Sequence, residues 1–144
     1  GGLDLNRCFP GSETADTREH RLARQFMDLM IDEQPTLCTT LHESWKRFHP
    51  DIRASFGQTV IYGVKPMPEI VGAVVSTMNE SLEHPYEQWA PHYFPVDTAS
   101  SEVIAEEVGC VGLCVETWMG FELSRRVAMQ KAVVEHMLVH LGVR

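Results

Sequence analysis

An α/β fold is what this sequence predicts: three layers, with a mixed, mostly parallel sheet and helices on both faces. Three observations carry that reading. Short β-branched apolar runs alternate with longer segments whose apolar residues recur every three to four positions. The longer segments carry cap residues or prolines at their starts and proline or glycine at their ends. The composition, 44% apolar and 22% charged over 144 residues, suits a globular chain large enough for one hydrophobic core.

The elements follow in order. Asp16 or Thr17 caps a first helix with apolar positions Leu22, Phe26, Leu29 and Met30, and Pro35 closes it. "TLCTTLHES", residues 36–44, is β-branched, apolar and too short for a helix, and reads as a buried strand. Residues 45–57, with Pro50 and Gly57, form a loop, and "QTVIYG" at 58–63 is a short strand. Residues 66–83 read as a helix with prolines in its first turn. The stretch 84–97, "HPYEQWAPHYFPVD", is so rich in proline and aromatics that no regular element is expected. It reads as a packed cover over the core, with closure over a substrate as the alternative. Residues 98–109 form a helix capped by Thr98 or Ser100 and stopped by Gly109. "VGLCVET", 111–117, is a strand. A closing helix over 121–142 places Leu123, Val127, Val134, Leu138 and Leu141 on one apolar face.

Several function classes are excluded. The net charge of -8, with scattered Lys and Arg, argues against nucleic acid as a partner. No run approaches the roughly 20 apolar residues of a membrane span, and no charged leader precedes an apolar core. A cytoplasmic chain with no membrane partner is expected. Cys8, Cys38, Cys110 and Cys114 lack zinc-finger spacing and read as reduced core thiols, with a disulfide as the alternative.

Ligands of open α/β sheets gather at the carboxyl edges of the strands, which selects His42 and Glu116. Each taken alone is adequately explained as the first solvated residue after a core run. As a pair they have chemistry: imidazole is a common zinc ligand, and a carboxylate beside the metal can act as general base on bound water. Asn6 and Arg7 add an amide and a guanidinium fork suited to a substrate carboxylate. His136 and His140 share a helix face, but Glu135 precedes the first of them and the pair reads as solvated surface. Glu122 is explained by favourable charge at a helix N-terminus.

"GLDLNRCFPGS", then "EHRLA", then "LHES" after one helix, then "CVET" before a final helix containing "RV", resembles the zinc carboxypeptidase superfamily in its succinylglutamate desuccinylase/aspartoacylase-like branch. The resemblance covers nearly the whole chain, as the later part of such a domain. Residues 1–144 are therefore expected to be a single hydrolase domain, truncated at its N-terminus. The resemblance implies that Asn6 and Arg7 contact the substrate carboxylate, that His42 is a zinc ligand and that Glu116 is the general base. It implies zinc as cofactor, with the other two ligands in an H-x-x-E motif upstream of "DLNR", so this chain alone is expected to hold metal weakly. Thr40 stands where the family usually has Asp, and a hydroxyl orients an imidazole less well than a carboxylate. The implied activity is hydrolysis of an amide bond next to a carboxylate, of the N-acyl amino acid deacylase or carboxypeptidase type, on a small-molecule or peptide substrate. A homo-oligomer is a further expectation, because a central strand left without neighbours invites pairing. A non-catalytic α/β interaction domain, or a degenerate relative, stays open as the alternative.

Overall fold

A computed structural model describes residues 2–143. A single 3-10 turn, Leu5–Arg7, precedes α1 (Arg18–Glu33), β1 (Leu37–Ser44), β2 (Thr59–Tyr62), α2 (Glu69–Asn79), β3 (Ala90–Tyr93), α3 (Ser100–Val108), β4 (Val111–Trp118) and α4 (Leu123–His140). The strands form one sheet in the order β1-β4-β2-β3. β2 and β3 are parallel, from Thr59 opposite Ala90 to Tyr62 opposite Tyr93. β1 and β4 keep one sequence offset at both ends, Val111 N donating to Thr36 O at 3.1 Å and Met119 N to Ser44 O at 2.9 Å, as a parallel ladder requires. The fold class is the expected one, α/β with a mostly parallel mixed sheet flanked by helices.

Tertiary contacts group the chain into two compact units, Gly1–Thr40 with Pro95–Leu113, and Leu41–Phe94 with Cys114–Arg144. In the first, Ala23 and Met27 of α1 are fully buried against Cys8, Phe9, Cys38 and Ile104. Of the expected stripe, Met30 packs against this core, whereas Leu22, Phe26 and Leu29 are largely exposed. The reason is the segment Cys8–Ser12, which crosses α1 at close quarters. Gly11, with φ 76°, leaves room that a Cβ would fill against the backbone of His20 and Arg24. Ser12 N then donates to His20 O at 3.1 Å, and this contact turns the Ala23–Met27 side inward. α3 starts from Ala99 as N-cap, not from Thr98 or Ser100, and Ala99 has no side chain to cap with. Asn6 supplies the missing acceptor from elsewhere in the chain, its Oδ1 receiving Ser100 N at 2.9 Å. Gly109 ends α3 in the left-handed region as the sequence suggests, its N–H donating to Ala105 O at 2.9 Å.

In the second unit α2 buries Ile70, Val71, Val74, Val75 and Met78. α4 buries Met129, Val133 and Met137, a different face from the expected one, whose Leu123, Val127, Leu138 and Leu141 are exposed. α4 carries two adjacent apolar stripes, roughly a quarter turn apart, so periodicity alone cannot choose between them. β3 is the second correction, a strand inside the stretch expected to be irregular. Asn79 holds Trp89 at both ends of its peptide, Trp89 N donating to Oδ1 at 2.7 Å and Nδ2 donating to Trp89 O at 3.0 Å. That clamp delivers Ala90–Tyr93 onto the outer side of β2, an edge position where Pro91 is tolerated. Trp89 is buried and His92 makes ring contacts with Phe48, Phe56 and Phe94, while Tyr86, Tyr93 and Phe94 of the same stretch are exposed. No helix among the described residues is long and apolar enough to cross a membrane.

Candidate active site

His42 and Glu116 each lie two residues before the end of their strands, β1 and β4, which are neighbours in the sheet. Side chains alternate along a strand, so Leu113, Val115 and Thr117, all fully buried, occupy one side of β4. Cys114, Glu116 and Trp118 take the other. On that side His42, Cys114 and Glu116 bring one ligand atom each within 4.8 Å of one another, the one such His/Cys/Asp/Glu group of three or more among the described residues. The backbone beneath is tied down from α4. Gln130 Nε2 donates to His42 O at 2.7 Å and to Thr117 Oγ1 at 3.1 Å. The Thr40 hydroxyl has no hydrogen-bond partner among the described residues, so it does not orient the imidazole.

Glu116 is 9% exposed, and its Oε2 has no hydrogen-bond partner among the described residues. Burial, and then the charge of Glu43, push its carboxyl up to about 7. Glu43 is itself held by an ion pair with Arg126 of α4. One strand turn beyond Glu116, Trp118 and Tyr86 flank the Arg47 guanidinium, with ring centroids at 5.6 and 5.0 Å. Gly57 permits the close approach of that loop, since a Cβ there would lie 2.6 Å from the Trp118 Cβ.

Imidazole nitrogen, sulfur and carboxylate oxygen form a donor set that a borderline-soft divalent ion such as zinc accepts. A buried carboxylate oxygen without a partner is the observation that favours a cation there. The residues present therefore fit the metal that the sequence resemblance implies.

Asn6 and Arg7 belong to the other unit. Asp4 Oδ1 accepts from Asn6 N at 3.0 Å, and Asn6 Oδ1 accepts from Ser100 N and, at 2.7 Å, from Ser100 Oγ. Arg7 Nη1 donates to Asn6 O at 2.9 Å. His136 and His140 line an open cleft of about 170 Å³ with Ala73, Val74 and Thr77 of α2, and no third metal-ligating group joins them among the described residues. Glu122 is the N-cap position of α4, in keeping with a helix-end role.

Sequence reasoning missed Cys114 and Gln130. Cys8 and Cys38 are buried thiols outside any disulfide, as expected, whereas Cys114 is partly exposed and part of the site. Counting back two residues from Glu116 on a strand would have found it. No sequence signal marks Gln130, because its role depends on where α4 crosses β1.

No protein-family model matches the chain, and no curated protein does. Solved structures do. The product-bound form of the cell shape determinant Csd4 from Helicobacter pylori superposes with a TM-score of 0.80 at 17% identity, over 98% of this chain and 38% of that one. The mDAP-bound form of Helicobacter pylori Csd4, a D,L-carboxypeptidase, gives 0.72 at 18% identity, over 98% and 38%. A metallo-carboxypeptidase from Burkholderia cenocepacia gives 0.61 at 19% identity, over 98% and 39%. This chain thus spans well under half the length of the proteins it matches, and over that span it has the fold found in these carboxypeptidases.

Proposed function

We propose that this chain carries part of the active site of a metal-dependent hydrolase that cleaves an amide bond beside a carboxylate. The observation that carries the reading is the convergence of His42 and Glu116, with Cys114, at matching positions on adjacent parallel strands. A zinc ion bound at His42 would supply Lewis acidity toward the scissile carbonyl and toward attacking water. The chain's own residues do the rest. Glu116 takes a proton from the water onto its unpaired Oε2 and returns it to the leaving nitrogen. A carboxyl group near 7 is suited to both transfers at neutral pH. Gln130 fixes the backbone of His42, so the imidazole is held before substrate arrives.

Arg7 and the Asn6 amide are the proposed grip on the substrate carboxylate. Because Asn6 Oδ1 is committed to Ser100, Nδ2 is the atom left to donate. The likeness to a D,L-carboxypeptidase crystallised with mDAP, and in another structure with a tripeptide, favours a peptide ending in a free carboxylate over an N-acyl amino acid. The desuccinylase/aspartoacylase-like branch suggested by "DLNR" would take the second class, so both are assayed.

The test uses the full-length, zinc-loaded protein with peptides ending in a free carboxylate, their amidated counterparts and N-acyl amino acids. Turnover is expected only where the carboxylate is free. Glu116→Gln is expected to lower kcat by about a hundredfold or more with metal content unchanged. A Gln variant of the full-length protein as active as its wild type sinks the role of Glu116, and full-length protein inert on every substrate points to the non-catalytic alternative.

A further inference from the structure

We propose that Cys114 is a metal ligand, its thiolate joining the His42 imidazole on one divalent, thiophilic ion. The inference deepens the hydrolase reading and rests on it for the purpose of the site, though ligation itself needs only the geometry. The motif resemblance assigns nothing to Cys114. Three observations make it a donor rather than core filling. It is partly exposed, whereas Cys8 and Cys38 are buried. It sits on the Glu116 side of β4, away from the fully buried Leu113, Val115 and Thr117. Its sulfur lies within 4.8 Å of the ligand atoms of both His42 and Glu116.

Bonds of about 2.3 Å to sulfur and 2.0–2.1 Å to nitrogen put neighbouring donors of a tetrahedral ion roughly 3.5 Å apart, so donors within 4.8 Å need to close by at most about 1.3 Å. Rotamer adjustment of one side chain covers that distance. The Glu116 carboxylate, nine-tenths buried with Oε2 unpartnered, adds the negative charge that a dication calls for at this spot. Sulfur in the set favours zinc, cobalt or cadmium over magnesium and calcium. The cleft beside His136 and His140 offers only two donors and no buried orphan group, and is the weaker candidate.

The experiment titrates cobalt(II) into metal-free, reduced protein and follows absorbance. Wild type is expected to bind one equivalent with a near-ultraviolet thiolate-to-cobalt charge-transfer band. Cys114→Ser should lose that band and bind cobalt roughly tenfold or more weakly, whereas Cys8→Ser, Cys38→Ser and Cys110→Ser should keep it. Circular dichroism checks that each variant is folded. A second readout needs no variant: zinc should slow alkylation of Cys114 by iodoacetamide, followed by peptide mass. Absence of the band in wild type, a band that survives Cys114→Ser, or alkylation indifferent to zinc overturns the inference. The two readings fail separately. A Cys114→Ser protein that hydrolyses substrate with unaltered metal affinity removes the thiolate and leaves the hydrolase, while a thiolate band without hydrolysis of any substrate does the reverse.

Discussion

Asn6 Oδ1 accepts both the backbone N–H and the hydroxyl of Ser100, at 2.9 and 2.7 Å, and so caps α3 from 94 residues away. One side chain thereby serves the fold with its oxygen and has its nitrogen free for a ligand. Asn6→Ala is expected to cost about 1–2 kcal/mol, as loss of an N-cap does, measured by urea unfolding. Asn6→Asp keeps the acceptor and should retain most of that stability while weakening substrate binding. Equal loss of stability in both variants would contradict the division of labour.

Gly112 marks the closest approach of β4 to α3. A Cβ there would run into the Ser101 carbonyl oxygen and lie 2.7 Å from the Ala105 Cβ. Gly112→Ala should destabilise the protein by roughly 1–3 kcal/mol through overpacking, read as a lower denaturation midpoint.

The inward face of α4 can be tested by contrast. Met137 is 1% exposed and Leu138 is 41% exposed. Met137→Ala is expected to cost about 2–5 kcal/mol and Leu138→Ala about 0.5 kcal/mol or less, a reversal of what the sequence stripe implies.

Glu116 gives the metal-free protein a pH-dependent stability of definite sign. Its carboxyl rises from 4.5 to about 7 on folding, so the folded state holds the proton more tightly. The contribution is fully present below about 4.5, shrinks as pH rises and is gone once pH has passed 7. The loss amounts to at most roughly 3 kcal/mol. Glu116→Gln should flatten this part of the profile and raise the midpoint at pH 8 relative to wild type. A variant with the same pH slope as wild type would show that the carboxylate is not strained by burial.

Legibility in the sequence followed how local the determining interaction is. β1, β4 and α3 were readable because β-branched runs and a left-handed Gly109 stop are written in adjacent residues. The exposed faces of α1 and α4 were misassigned because the deciding contacts lie elsewhere, at Gly11 for α1 and against other elements for α4. β3 was hidden by Pro91, which rules out a central strand but not an edge. Of the site, His42 and Glu116 were visible as ionisable residues near strand ends. Cys114 was set aside as packing, since the sequence shows a cysteine's apolar neighbours more readily than the side of the sheet it faces.

The strand order also sets how stiffly each half of the site is built. β4, with Glu116, is braced on both flanks, whereas β1, with His42, has a ladder partner on one flank only among the described residues. Thermal breathing is therefore shared unequally. The carboxylate is anchored to a strand laddered on both sides, and the imidazole to one whose amide protons will exchange with solvent sooner among the described residues, with the Gln130 contact to His42 O as its counterweight.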